Sequence, residues 1–367
     1  MKRLSALSIL CFVLISCGCN SSPTLPNPTV TTTPSASLAT PTPTSASSTN
    51  QFGVIISGQN IARPEIVSAA KDLGAGWVRL NLNLASSQDY TLFLASGMNV
   101  VLTISNQDPS NIVTTYGTLR EWPNAGFPFK SETQYQQQIR TVLEPALPYL
   151  AQGQQVWVQA ENEISDASVN PASSYWRGTD EQYLAQLQAL YEEVKSVNAS
   201  IPVVLTSFAS ETLDALSEQN DPRHEFVVQH VTTLLTQGQF DAVDLHFYGC
   251  VEDIAAKVKA VRERMPASKP FIWISTENGG PDYRCETTPP SWKQDLAQFE
   301  QEEARQVPLR LSACAENGGS ICLWFSFIDL KNSGEVFSHL GLLDQDVMPP
   351  RKKPAYDAFQ TFVAKQQ

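Results

Sequence analysis

Two short stretches carry the residue types needed for acid/base chemistry. In QAENE, residues 159–163, an apolar run stops abruptly at Glu161, Asn162 and Glu163, and in STENGG a second run stops at Glu277. LHFYG supplies His246 and Tyr248 before the second stretch, and LWFSFID supplies Trp324 and Asp329 after it. Cleaving a glycosidic bond requires two carboxyls that titrate differently. One gives a proton to the leaving oxygen; the other attacks or stabilises the cationic carbon. Glu163 and Glu277 supply both only if the fold brings them to one place.

The elements that would do so are short runs rich in β-branched and aromatic residues. FGVIIS (52–57), GWVRLN (76–81), MNVVLTIS (98–105), QVWVQAE (155–161), PVVLTSF (202–208), FDAVDLHF (240–247), PFIWIST (270–276) and SICLWFSF (320–327) read as strands. Helical patterns separate them. In the segment from Glu181, Tyr183, Leu184, Leu187, Leu190, Tyr191 and Val194 recur at three- and four-residue spacing, which predicts one apolar helix stripe. Eight strands alternating with helices predict an α/β fold, a single (β/α)8 barrel, whose sites lie at the strand C-termini. The polar residues that end the runs are therefore the informative ones. Long loops after the third and seventh strands carry Tyr116, Trp122, Phe127 and Phe129, and Tyr283 and Trp292. Such rings suit the C–H faces of sugars, or simply pack the loops down.

In their order along the chain, QAENE, LHFYG, PFIWISTENGG and LWFSFID resemble the clan A retaining glycoside hydrolases. The resemblance runs over residues 52–360 and includes a closing KPAYDAF segment. It implies Glu163 as the acid/base, following Asn162, and Glu277 as the nucleophile. It further implies Arg79, in WVRL, beneath the nucleophile as a hydrogen-bond donor, with Tyr248 bonded to the same carboxylate. Trp324 would floor the subsite of the attacked sugar, Asn162 would hold its 2-hydroxyl, and His246 would contact substrate or support the site. No metal or organic cofactor is implied. The chain departs from the pattern at Ile164, where the clan often has Pro, and at 105–107, Ser-Asn-Gln, where many members carry a histidine. Its seventh strand is also a residue or two longer than is common in the clan before its glutamate. Glu161 shares strand parity with Glu163, so alternation leaves both open; the adjacent Asn and the resemblance favour Glu163, leaving Glu161 as a salt-bridged supporter in the barrel wall.

The first fifty residues do not read as fold. Lys2 and Arg3 precede an apolar stretch, residues 4–15, too short to span a bilayer. LISC, residues 14–17, resembles a bacterial lipobox, so residues 1–16 are expected to be a signal peptide and Cys17 the lipidated mature N-terminus. Residues 21–50 hold 22 Ser, Thr or Pro and no charge. They are expected to form an extended tether, making 17–50 a lipid-anchored linker and 51–367 the barrel. The chain is then exported and anchored to a bacterial membrane, facing the periplasm or the exterior.

A formal net charge of -12 argues against nucleic acid or anionic lipid as partner and leaves neutral or cationic substrates open; the resemblance implies a carbohydrate partner, and a monomer is expected. Four histidines without H-E-x-x-H spacing argue against a zinc enzyme, and no G-x-S-x-G elbow occurs. LGAGW (73–77) lacks a third glycine and precedes a strand, so it is not read as a nucleotide loop. Beyond the leader, Cys250 and Cys285, or Cys314 and Cys322, are the alternative disulfide pairs. Two other readings share the anchor: a carbohydrate-binding lipoprotein without turnover, and a transport-type binding protein, which would have two lobes instead of eight βα units.

Overall fold

The computed structural model describes residues 50–56, 63–85, 88–164, 175–278, 292–330, 336–344 and 350–366. The expected signal, tether and Cys17 lie outside these residues. The eight expected strands are present as β1 (Phe52–Ile56), β2 (Trp77–Asn83), β3 (Asn99–Ser105), β4 (Val156–Ala160), β5 (Val203–Phe208), β6 (Ala242–Phe247), β7 (Trp273–Glu277) and β8 (Ile321–Trp324). They pair in parallel in that order, and β1 closes on β8. Helices including Glu132–Leu143, Asp180–Val197, His224–Gln237, Leu296–Glu316 and Pro354–Ala364 complete the (β/α)8 barrel.

Both faces of each strand are covered, so the strands read as near-continuous apolar runs. Alternation sorts their side chains. Val78, Val100, Val158, Val243 and Trp273 belong to the large core between sheet and helices. Ile55, Trp77, Val101, Trp157, Val204, Ala242, Ile274 and Leu323 fill the barrel interior. Two residues further along six of these strands stand Arg79, Thr103, Gln159, Thr206, Asp244 and Thr276, all buried. An apolar layer thus supports a polar one, and the polar layer faces the strand C-termini. At Gly53 the packing leaves no room for a side chain, since a Cβ would lie 2.2 Å from the Trp77 carbonyl oxygen.

The helix expected from Glu181 begins at Asp180. Thr179 caps it by accepting from the Gln182 amide, and the Gln182 side chain accepts from the Thr179 amide in return. Of the predicted stripe, Tyr183, Leu187, Leu190 and Val194 are buried, while Leu184 and Tyr191 pack against the core from its edge.

Cys314 and Cys322 form a disulfide that ties the helix Leu296–Glu316 to β8. Cys250 is also disulfide-bonded, and Cys285 lies outside the described residues. Closing a loop of this size in the unfolded chain accounts for about 2–3 kcal/mol of stability. The double variant Cys314→Ala/Cys322→Ala is expected to lose that amount in urea denaturation; an unchanged midpoint would show that the bond adds nothing to the helix packing.

Candidate active site

The polar layer is organised by Arg79. Its Nε donates to Thr103 Oγ1 at 2.8 Å, its Nη1 to Asp244 Oδ2 at 2.6 Å and to Thr276 Oγ1 at 2.9 Å, and its Nη2 to Asn162 Oδ1 at 2.8 Å. His246 Nε2 lies 2.9 Å from Nη1 and 3.1 Å from Asp244 Oδ2. Asp244 also accepts from Gln159 Nε2 at 2.9 Å. Burial alone would raise the Asp244 carboxyl, but Arg79 and His246 outweigh it and hold the group below its usual range.

Glu163 sits directly above this network. Its Oε1 lies 2.5 Å from His246 Nδ1, its amide donates to Ser207 Oγ at 3.1 Å, and it keeps 8% exposure. Asn162 Oδ1 accepts from Ser207 Oγ as well as from Arg79. Burial would lower the His246 imidazole, yet Asp244 and Glu163, one on each ring nitrogen, raise it. A histidine bridging two acids fixes the orientation of Glu163. The turn that delivers Glu163 is tight, with Glu161 at φ 58° and Glu163 at φ 39°, both in the left-handed region.

Tyr248 belongs to the same group: its ring lies 5.9 Å from His246 and 6.0 Å from Phe325. Its phenol is raised well above the usual range, by burial first and then by Glu163. Tyr175, not singled out from the sequence, is also close to Glu163. Burial, and then the carboxylates of Glu163 and Glu211, push its phenol up to about 12. Phenols held in the protonated form beside a carboxylate are hydrogen-bond donors available to a ligand.

Arg79, Asn162, Glu163, His246 and Tyr248 are therefore brought together. Glu277 is not. It is the last residue of the β7 ladder, paired with Phe247 and Trp324, both members of the outer core. Ile274 and Thr276 take the inward positions. Glu277 is 0% exposed; among the described residues both its oxygens lack a hydrogen-bond partner and the nearest cation is Arg310 on the helix Leu296–Glu316, at 3.8 Å. At that distance Arg310 offsets only part of the desolvation, so burial pushes the Glu277 carboxyl up to about 8. The expected contacts of Arg79 and Tyr248 with Glu277 are replaced by Asp244 and by the Glu163–His246 pair.

The same parity corrects Trp324. It is fully buried in the outer core. Phe325, packed against the barrel interior beside Tyr248, takes the place expected of Trp324 at the floor of the mouth. Glu161 lies in the wall but is not salt-bridged among the described residues. It accepts from the Asn106 amide at 2.9 Å and from Gln186 Nε2 at 2.7 Å, and burial pushes it up to about 8. A Cβ on Gly126 would come within 1.8 Å of Glu161 Oε2, so the glycine leaves the room this acid occupies.

Of the loop aromatics, Phe127 is buried and Tyr116 is 47% exposed. Arg177 stacks on Trp122 at 4.0 Å and donates to the Tyr116 carbonyl at 2.8 Å, fastening the loop after β3 to the segment that follows β4. Trp292 packs on His339, ring centroids 4.2 Å apart, and Tyr283 lies outside the described residues. Among the described residues no cluster of His, Cys, Asp or Glu is grouped to hold a metal ion.

No protein-family model and no curated protein matches the chain. Solved structures do share its fold. The exo-beta-1,4-mannosidase Op5Man5 from Opitutaceae bacterium strain TAV5 is 15% identical, with a TM-score of 0.53 over 86% of this chain and 59% of its own. A GH39 enzyme from Xanthomonas axonopodis pv. citri is 15% identical, with a TM-score of 0.53 over 86% of this chain and 66% of its own. A GH5_18 enzyme from Streptomyces cattleya, in complex with Manb1-4GlcNAc, is 14% identical, with a TM-score of 0.57 over 86% and 81%. The chain spans less than two thirds of the length of the first two. What is shared is the fold, a closed eight-stranded parallel (β/α)8 barrel.

The placement of Glu277 has a pH signature. Its folded pKa, about 8, lies above its ordinary 4.5, so between these values the unfolded chain releases a proton that the folded chain keeps. Stability from this group therefore falls as pH rises through that window and levels off above it. Glu277→Gln removes the effect, and its stability relative to the wild type is expected to improve by up to about 1.4 kcal/mol per pH unit between pH 5 and 8. A difference that does not change with pH in urea titrations would mean that Glu277 is ionised in the folded chain.

Proposed function

We propose that this chain hydrolyses β-glycosidic bonds in a poly- or oligosaccharide bound at the barrel mouth, with Glu163 as the acid/base. The observation that supports this most directly is Glu163 itself: a partly exposed carboxyl at the mouth, fixed by His246 and flanked by Asn162, Tyr175 and Tyr248. A carboxyl that is oriented and still reaches the mouth can give a proton to a glycosidic oxygen and recover it from water. Asn162, held by Arg79 and Ser207, is placed to bind a ring hydroxyl, and Phe325 offers an apolar face beneath it. Catalysis at this site needs no cofactor.

Double displacement with retention sets a sharper condition. The second carboxyl must come to about 5–5.5 Å from Glu163. Glu277 as nucleophile meets that condition if the last residue of β7 turns from Arg310 towards the mouth when substrate binds, at the cost of its pairing with Trp324. As it stands, Glu277 is turned away, and this favours a second reading, a carbohydrate-binding barrel without turnover. The proposal for the leader is independent: export, lipid on Cys17, and a Ser/Thr/Pro tether that holds a monomeric barrel off the membrane.

Turnover of β-linked polysaccharides and aryl β-glycosides by the full chain tests the reading. Glu163→Gln is expected to lower kcat by about 10²- to 10⁴-fold, with azide restoring a glycosyl azide of retained configuration. Comparable loss in Glu277→Gln carries double displacement, whereas unchanged turnover assigns Glu277 to Arg310 alone. Saturable glycan binding without cleavage by the wild type would overturn hydrolysis and leave the binding reading. Mass spectrometry of the N-terminus in a Cys17→Ala variant, expected to lack lipid, checks the anchor.

A further inference from the structure

Arg310 reaches from the helix Leu296–Glu316 to the back of the sheet, where it is 2% exposed. Its Nη1 donates to the Phe247 carbonyl at 3.1 Å and its Nη2 to the Gly249 carbonyl. These residues stand on either side of Tyr248. The Glu277 carboxyl, by contrast, lies 3.8 Å from Nη1, beyond hydrogen-bond reach. Both terminal nitrogens of a buried guanidinium are thus aimed at neutral carbonyls although an acid stands beside it. A planar fork can hold two such acceptors in one fixed geometry, which a point charge cannot.

Tyr248 needs such a hold. The β6 ladder ends at the pair of Phe247 with Glu277, so Tyr248 lies one residue past it. Phe247 faces the outer core, and alternation turns Tyr248 the other way, with its ring 5.9 Å from His246 and 6.0 Å from Phe325. The Phe247 carbonyl also accepts from the Asn278 amide at 3.3 Å, and Asn278 Nδ2 donates to the Phe325 carbonyl. The anchor that Arg310 grips is therefore shared by the strand ends that carry both rings.

We propose that Arg310 is a positioning residue for Tyr248: from behind the sheet it clamps the backbone on both sides of that residue and so fixes how the ring meets a ligand at the mouth. The ligand being a glycan rests on the reading of the mouth given above; the clamp itself does not.

Arg310→Lys separates the fork from the charge, because it keeps a cation beside Glu277 and loses the planar pair of donors. Nitration of the full chain by tetranitromethane, located by peptide mass spectrometry, reads the clamp without any ligand. Tyr248 is protected by burial beside Glu163, as is Tyr175, which Arg310 does not touch. In Arg310→Lys, Tyr248 is expected to react about tenfold faster, the effect of one lost hydrogen bond, with Tyr175 unchanged. An unchanged Tyr248, or both tyrosines accelerated together, overturns the clamp.

Turnover of an aryl β-glycoside reads its consequence. Arg310→Lys is expected to lower kcat/KM by about 10- to 100-fold, what a displacement of about an ångström costs, and to have no further effect in a Tyr248→Ala background. Equal losses in both backgrounds, or a loss that vanishes in Glu277→Gln instead, would show that Arg310 does not act through Tyr248. Circular dichroism checks folding, and Arg310→Gln replaces Arg310→Lys if that variant does not fold. In a wild type that binds mannohexaose or cellohexaose without cleaving it, the same cycle is read in Kd, so the hydrolase reading falls while the proposal is still decided. A wild type that neither binds nor cleaves overturns the ligand role together with the reading of the mouth, and nitration alone then decides the clamp.

Discussion

The structure depends on one buried cation. Arg79 lies inside the barrel at 1% exposure, where an unpaired guanidinium would be prohibitive. Its planar fork is satisfied on all sides by groups from β3, β6, β7 and the turn after β4. Asp244 supplies the opposite charge, while Thr103, Thr276 and Asn162 supply neutral acceptors. Removing one partner of such a pair would strand the other in a medium of low polarity, which is far costlier than the pair is stabilising. The network therefore acts less as a source of stability than as a constraint on which strands and which registers can close the barrel.

That constraint sets the electrostatics of the mouth. Asp244 is kept ionised beneath His246, His246 is drawn towards its charged form by an acid on each side, and Glu163 receives the outer hydrogen bond. The chain of contacts runs from a fully buried charge to a partly exposed carboxyl. On the other side of the sheet the balance is reversed. Glu277 meets Arg310 only at 3.8 Å, and burial wins. Asp244 and Glu277 thus acquire opposite preferences from one difference, whether a cation or a donor stands within hydrogen-bond reach.

The architecture was legible in the sequence because periodicity encodes it: each predicted strand overlaps the one observed, and the Glu181 segment forms the amphipathic helix its stripe requires. So was the cluster of Arg79, Asn162, Glu163, His246 and Tyr248, since each is polar at the end of, or alternating within, an apolar run. What escaped was parity at two strand ends. FIWISTE and ICLWF contain no polar and apolar alternation that reveals which residue turns inward, because both faces of a parallel strand are buried. Glu277 and Trp324 each fall one position from where the resemblance put them. Thr276 and Phe325, unremarkable as residue types, hold the inward places. Asp244 was equally hidden: a lone acid in AVDLHF gives no sign that its partner is an arginine on another strand 165 residues away.

The central claim is that a glycan binds over Arg79 with its scissile oxygen at Glu163. A crystal structure of the Glu163→Gln chain with a β-linked oligosaccharide tests it most directly. The glycosidic oxygen is predicted to lie about 3 Å from the residue 163 side chain, with a ring hydroxyl on Asn162 and a sugar face on Phe325. An oligosaccharide held elsewhere, with the mouth empty beside residue 163, would contradict the account.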